Sequence, residues 1–185
     1  VLLIKNKITQ SDISQRVKMA DARYLNLDYK NAARGYSSAI SQAKEMTDVP
    51  YYSKGAALLN LGRLDEAMEA IDNAISINPE SEISWNLKGN VYGRMNRPVE
   101  AVKAFKTALH INPRYEVAWN NLGNVYARVG RYEDSIICYD KALHIQTSYK
   151  DAWLNKGFVL VKLQRYEEAT VCADQALKAV GRPSM

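Results

Sequence analysis

The stretch Trp85–Asn–Leu–Lys–Gly89–Asn–Val–Tyr92 decides how this chain folds, because it comes back twice. It returns as Trp119–Asn–Asn–Leu–Gly123–Asn–Val–Tyr126 and as Trp153–Leu–Asn–Lys–Gly157–Phe–Val–Leu160, 34 residues apart each time. One period earlier Tyr51 stands for the tryptophan and is followed by Gly55 and Leu58. A second pattern keeps the same clock: Ala67, Ala101, Ser135 and Ala169, then Ile71, Phe105, Tyr139 and Ala173, then Ala74, Ala108, Ala142 and Ala176. Pro79 and Pro113 close two units, and Thr147 and Gly181 fall in the next two such places. Self-similarity at a fixed period of this length marks a repeat architecture, in which each unit is one small supersecondary element.

Within a unit the spacing is helical. Trp85, Gly89 and Tyr92 lie at i, i+4 and i+7 and share a face, and Ala101, Phe105, Ala108 and Leu109 follow the same logic on a second helix. Gly62, Asn96, Gly130 and Gln164 lie between the two, and Gly and Asn tolerate the left-handed conformation that ends a helix. Pro98 is expected in the first turn of its helix, where a missing N–H costs nothing. Each unit therefore reads as a helical hairpin, with glycine and alanine letting the two backbones approach. Composition agrees. The 185 residues hold 22 alanines but only 9 glycines and 5 prolines, which favours helices over short strands. No run of apolar residues is long enough to span a membrane. A net charge of +5 is too modest to argue for nucleic acid.

These residues resemble the tetratricopeptide repeat, whose period and tryptophan, glycine, tyrosine, alanine, phenylalanine and proline positions they match. The resemblance implies an all-α fold, a right-handed superhelical solenoid of antiparallel helical hairpins. Residues 1–12 show no repeat phase; the array is assigned to 13–183, with units 13–47, 48–81, 82–115, 116–149 and 150–183. The first unit keeps only its second half, in Asp28, Tyr29, Ala32, Tyr36 and Ala39, and lacks the tryptophan and the glycine. A single hairpin cannot bury its own apolar face, so neighbours must stack.

The family's first helices line an inner groove, and its ligand-facing positions map here onto Asn86, Asn90 and Arg94, then Asn120, Asn121, Asn124 and Arg128, then Asn155 and Lys162. Leu154 and Phe158 fall in the same set, as does Asp151. An asparagine carries both donors and an acceptor, so a ladder of them can clamp a peptide backbone, and the three basic residues in line favour an acidic segment. The rival reading is inherited repetition with every one of these side chains solvated. The family's chaperone-tail clamp fits poorly, because Asp151 stands where a basic residue is needed. The resemblance implies a non-enzymatic scaffold in the cytoplasm that binds a protein or peptide, with no cofactor, no metal, no nucleic acid and no membrane. The alternative is a substrate-guiding repeat region of a larger enzyme such as a glycosyltransferase; an RNA-binding helical repeat is a more distant third.

Other constellations have structural explanations. His110 and His144 lie one period apart near helix ends, where the helix dipole accounts for them without a metal. Cys138 and Cys172 share a phase on successive second helices and read as packing residues, since packed axes stand too far apart for an unstrained bridge. The three tryptophans read as seam residues rather than a stacking platform. Acidic pairs such as Asp65–Glu66 and Glu167–Glu168 complement helix N-termini. No phosphate loop or hydrolase elbow is present. Val1–Leu–Leu–Ile4 is too short for a signal peptide, and a start without methionine suggests a fragment or a processed chain. The last helix, with Ala169, Cys172, Ala173, Ala176, Leu177 and Val180, has only Arg182–Met185 beyond Gly181. Its apolar side is expected to be covered by a second copy or by sequence outside the chain, the alternative being that small alanines tolerate exposure.

Overall fold

The computed structural model describes residues 10–42 and 47–180. Val1–Ile4, Gly181 and Arg182–Met185, singled out above, lie outside these, and so does the side chain of Val180. The described residues form ten helices and no strand: α1 (Gln10–Leu25), α2 (Tyr29–Gln42), α3 (Val49–Asn60), α4 (Leu64–Ile77), α5 (Glu82–Arg94), α6 (Pro98–Ile111), α7 (Glu116–Arg128), α8 (Tyr132–Ile145), α9 (Lys150–Lys162) and α10 (Tyr166–Val180). Well over half the chain is helical, as the alanine content and the 3.6-residue spacing require. Pro50 and Pro98 both sit in a first turn.

The chain divides into two compact units, 1–91 and 92–185. In the first, α1 pairs with α2 and α3 with α4, and α2 also packs on α3. In the second, α7 pairs with α8 and α9 with α10, while α6 packs on α7 and α8 on α9. Direct contact between α7 and α9 places these two first helices side by side in one layer. The core of each unit is built from the periodic positions: Ala32, Tyr36, Ala67, Ile71 and Ala74 in one, Ala101, Phe105, Ala108, Tyr139 and Ala142 in the other, all at most 2% exposed.

Each hairpin turns through one left-handed residue. Gly62 (φ 77°), Asn96 (57°), Gly130 (79°) and Gln164 (60°) occupy the expected places, and Leu27 (61°) does the same in the first hairpin. The residue after each donates its N–H back across the helix end: Asp28 to Arg23 O, Arg63 to Leu58 O, Arg97 to Tyr92 O, Arg131 to Tyr126 O and Arg165 to Leu160 O. This is the Schellman closure, which satisfies carbonyls left over at a helix C-terminus. Four of those residues are arginines, and each then reaches three residues forward to an acid: Arg63–Glu66, Arg97–Glu100, Arg131–Asp134 and Arg165–Glu168. Hydrogen bonds from the guanidinium hold the Glu66, Glu100 and Glu168 carboxyls below the ordinary range. Arg97 and Arg131 also stack on Tyr92 and Tyr126 of the preceding helix, 4.9 and 4.6 Å from the ring centres. The acidic residues of these first turns therefore serve a particular arginine as well as the helix dipole.

The tryptophans are half-buried. Each ties its indole N–H to the loop that leads into its own helix: Trp85 to Pro79 O, Trp119 to Pro113 O and Trp153 to Thr147 O, at 2.8–2.9 Å. Trp119 and Trp153 also pack against the buried Ala142, Leu143 and Ala152. Cys138 and Cys172 are buried free thiols, as their packing assignment requires. His110 and His144 occupy the last turns of α6 and α8 and are exposed.

Helix approach is set by glycine. A methyl group on Gly55 would lie 2.6 Å from Cγ1 of Ile71, and one on Gly123 would lie 2.6 Å from Cε1 of Tyr139. The first hairpin has not lost this contact. Its glycine is on the other helix, where a methyl on Gly35 would meet the Cβ of Ala20 at 2.9 Å. Gly93 differs, since its nearest such neighbour is Nη1 of Arg128 at 3.9 Å. Gly123→Ala should therefore destabilise by about 1–2 kcal/mol, the cost of overpacking less the helix-propensity gain. Gly93→Ala should be neutral or stabilise by up to ~1 kcal/mol. Urea denaturation of both variants checks the contrast, and equal effects would contradict it.

Candidate functional site

The layer containing α7 and α9 carries most of the residues that sequence points to. On α7 these are Asn120, Asn121, Asn124 and Arg128, and on α9 Asn155 and Lys162. The helical repeat brings Asn121, Asn124 and Arg128 to one side of α7, and Leu154, Phe158 and Lys162 to one side of α9. Arg94 closes α5 within the same unit; Asn86 and Asn90 belong to the other unit.

Burial separates these residues sharply. Asn86 and Asn120 are each 4% exposed. Their side chains are internal parts of the fold. The Nδ2 of Asn155 donates to Oδ1 of Asn120 at 3.0 Å, an amide bond from one hairpin to the next. Tyr149 also hydrogen-bonds Asn120; burial pushes its phenol pKa up. Asn90, Asn121, Asn124 and Asn155 are partly exposed; Arg94, Arg128 and Lys162 are exposed.

Several of the reachable groups have a second task. Asn124 Oδ1 accepts from the hydroxyl of buried Tyr139 at 2.9 Å. The first hairpin builds the same tie from Tyr36 to Asp21 Oδ1, at 2.6 Å. Arg128 Nη2 donates to Gly93 O at 2.9 Å, near the C-terminus of α5, where carbonyls lack helical donors. The ammonium of Lys162 lies 5.3 Å from the ring centre of Phe158. Phe158 is 63% exposed and Leu154 46%, so an apolar strip runs along α9 beside the asparagines and Arg128 of α7.

A cavity beside α8 was not legible from the repeat. Pro113, Trp119, Ile137, Lys141 and His144 line a cavity of about 510 Å³ next to α8. Lys141 sits 4.2 Å over the Trp119 ring. The one available signal is Ile137, an exposed isoleucine in the phase where Glu69 and Lys103 stand.

The described residues contain no cluster of three or more potential metal ligands and no helix long and apolar enough to cross a membrane. Burial pushes the Cys138 thiol up to about 12, and it raises Cys172 as well. Neither is a ready nucleophile. A thiol whose pKa rises on folding stabilises the fold fully below its unfolded value, and that contribution is lost as pH climbs toward the folded value. The melting temperature should hold to about pH 9 and fall between about 9 and about 12, with a smaller fall in Cys138→Ala. Iodoacetamide at about pH 8 should spare both thiols in the native protein and modify both in urea. Rapid labelling of the native chain would contradict this assignment.

Comparison with known proteins bears on the same hairpins. The Tetratricopeptide repeat pattern matches residues 49–81, 83–115 and 117–149, and a second pattern of the same description matches 150–179. No curated protein sequence matches the chain. A thermophilic TPR protein of Thermus thermophilus superposes with a TM-score of 0.81 at 17% identity, over 90% of this chain and 91% of that one. PilW, a widely conserved type IV pilus biogenesis factor, gives 0.81 at 21% identity, over 96% and 81%. YrrB, described as a TPR protein with an unusual peptide-binding site, gives 0.62 at 18% identity, over 89% and 84%. Matched over most of its length by the pattern that its own residues spell out, the chain belongs to the tetratricopeptide repeat family.

Proposed function

We propose that the protein is a non-enzymatic scaffold that holds a peptide segment of a partner protein against α7 and α9. The observation that carries this reading is the side-by-side placement of two unlike strips, amides and Arg128 on α7, and Leu154, Phe158 and Lys162 on α9. Asn121, Asn124 and Asn155 offer donors and acceptors to a peptide backbone, Phe158 offers an apolar contact, and Arg128 and Lys162 favour an acidic residue. Asn120 acts behind this surface by fixing Asn155. Asn86 is the buried residue of the same phase in the preceding repeat, and Asn90 and Arg94 stand in that repeat at the phases of Asn124 and Arg128. The peptide-binding site ascribed to YrrB supports a peptide as the ligand class. The array is taken as 13–183 in five units, with 1–12 outside it. Buried free thiols suit a reducing compartment such as the cytoplasm.

A panel of labelled peptides that pair apolar with acidic residues, set against versions with Gln for Glu, tests the reading by anisotropy. The acidic peptides should bind more tightly. Lys162→Glu should weaken the best of them by about three- to tenfold, the scale of one exposed charge contact, and leave the melting temperature unchanged within error. Phe158→Ala should weaken acidic and neutral peptides alike. Affinity indifferent to both substitutions would move the site off this layer.

A further inference from the structure

The cavity beside α8 lies inside the array, with α9 and α10 already stacked after it. Its walls come from the loop into α7, from Trp119 and from the outward side of α8 at Ile137, Lys141 and His144. Ile137 is 54% exposed, and the residues in its phase, Glu69, Lys103 and Val171, are exposed as well. Stacking of hairpins therefore leaves this position open in every one of these repeats. The two preceding repeats put a charged residue there, as a solvated position asks. An isoleucine in that place, facing a tryptophan across a cavity of about 510 Å³, calls for an apolar neighbour from outside the fold.

The charges around the cavity also depart from the repeat. Lys88 and Lys156 sit over Trp85 and Trp153 of their own helices, each held by an aspartate of the helix before, Asp72 and Asp140. In α7 the lysine phase is filled by Leu122, which is buried, and the aspartate phase by Lys106 of α6. An acid has become a base, and the cation it would hold has become part of the core. The cation over the Trp119 ring comes from α8 instead, as Lys141 at 4.2 Å. Neither Lys141 nor Lys106 makes an ion pair among the described residues. Both stand close enough to Cys138, beside Ile137, for their charges to draw its thiol pKa down against burial. Asp140, the acid at the cavity wall, is already engaged by Lys156.

These features select the occupant. The indole N–H of Trp119 is taken by Pro113 O, so its ring offers the cavity apolar surface alone. The unanswered lysines call for a carboxylate beside that apolar contact. The cavity is open along Ile137, so it cannot surround a small molecule as closed binding pockets do. A side chain presented from a partner's own backbone needs no such enclosure. The chain's end segments do not meet the description: 1–9 and 181–185 contain Lys5, Lys7 and Arg182 and no acidic side chain.

We infer that this cavity is a second docking site, for a segment of a partner protein in which a large apolar residue stands beside Asp or Glu. The apolar side chain enters between Trp119 and Ile137, and the carboxylate meets Lys141. The cavity shares no residue with the strips of α7 and α9 assigned to a peptide above, so either site can fail without the other.

A phage-displayed heptapeptide library selected on the purified 185-residue chain supplies the probes, and anisotropy of the enriched peptides is the test. Ile137→Lys and Lys141→Gln install the residues that other repeats carry in these phases, Lys103 and Gln175, so both should leave the melting temperature unchanged. One class of enriched peptides should carry Leu, Ile, Phe or Trp beside Asp or Glu. Ile137→Lys should weaken this class about tenfold although it adds a positive charge. Lys141→Gln should weaken it about threefold, and less at high salt, while Phe158→Ala leaves it unchanged. Four results would overturn the proposal. The first is that no enriched peptide responds to Ile137→Lys; the second is that the responsive ones carry no acid. The third is that they lose as much to Phe158→Ala. The fourth is a different occupant, either a synthetic 1–9 segment or a second copy seen by light scattering as twice 20.9 kDa, that Ile137→Lys releases.

Discussion

Everything else in the structure depends on how closely the two helices of a hairpin cross. Gly123 lets α7 approach the ring of Tyr139, and Gly55 lets α3 approach Ile71, each at a distance that excludes even one methyl group. That approach buries the large residue of the second helix, with Tyr139 and Ile71 at 1% and 0% exposed. It also brings the Tyr139 hydroxyl within reach of Asn124 on the first helix. The first hairpin shows that the constraint lies in the crossing and not in one sequence position. Gly35 provides it from α2, opposite Ala20, and Tyr36 still bonds Asp21 as Tyr139 bonds Asn124.

Around each crossing the loops are tied locally. The turn arginine closes the first helix with its backbone and meets an acid of the second with its side chain, while the indole of each tryptophan holds the incoming loop. Such exposed ion pairs contribute little stability one by one. Their effect is geometric, because each fixes the path of the chain over three to six residues and so repeats the same hairpin. This explains why the half-buried tryptophans recur so regularly. They serve as a hydrogen-bonded hinge pin as much as an apolar surface.

The fold was legible because its signal is redundant. Glycine, alanine and aromatic positions recur at one spacing, and several copies corroborate each assignment. The candidate site was legible only in part, for a physical reason. Asn120 and Asn121 are chemically identical neighbours, and the repeat places both among ligand-facing positions. Whether an amide is buried depends on what packs over it. The next hairpin sends Asn155 onto Asn120, leaving Asn121 partly exposed. Residue type in one unit carries no information about a partner one period away. The glycine moved to Gly35 and the cavity beside Ile137 were illegible for a related reason, since both depart from the repeat that carried the reading.

The residues that offer themselves to a ligand also hold the hairpins together, and this shapes what binding costs. Asn124 spends one acceptor on Tyr139, Asn155 one donor on Asn120, and Arg128 one donor on Gly93 O. An asparagine has two donors and an acceptor with two lone pairs, and arginine five donors, so one bond does not exhaust any of them. A side chain already held by one hydrogen bond has little rotamer freedom left to lose when a second forms. Lys162, by contrast, has among the described residues only its contact with Phe158, so a ligand bound there would have to order it. Immobilising such a side chain costs about 0.5–1.5 kcal/mol. The asparagines and Arg128 thus suit a fixed framework for a peptide backbone. Lys162 suits a contact that is made only when a sufficiently strong acidic group is there to hold it.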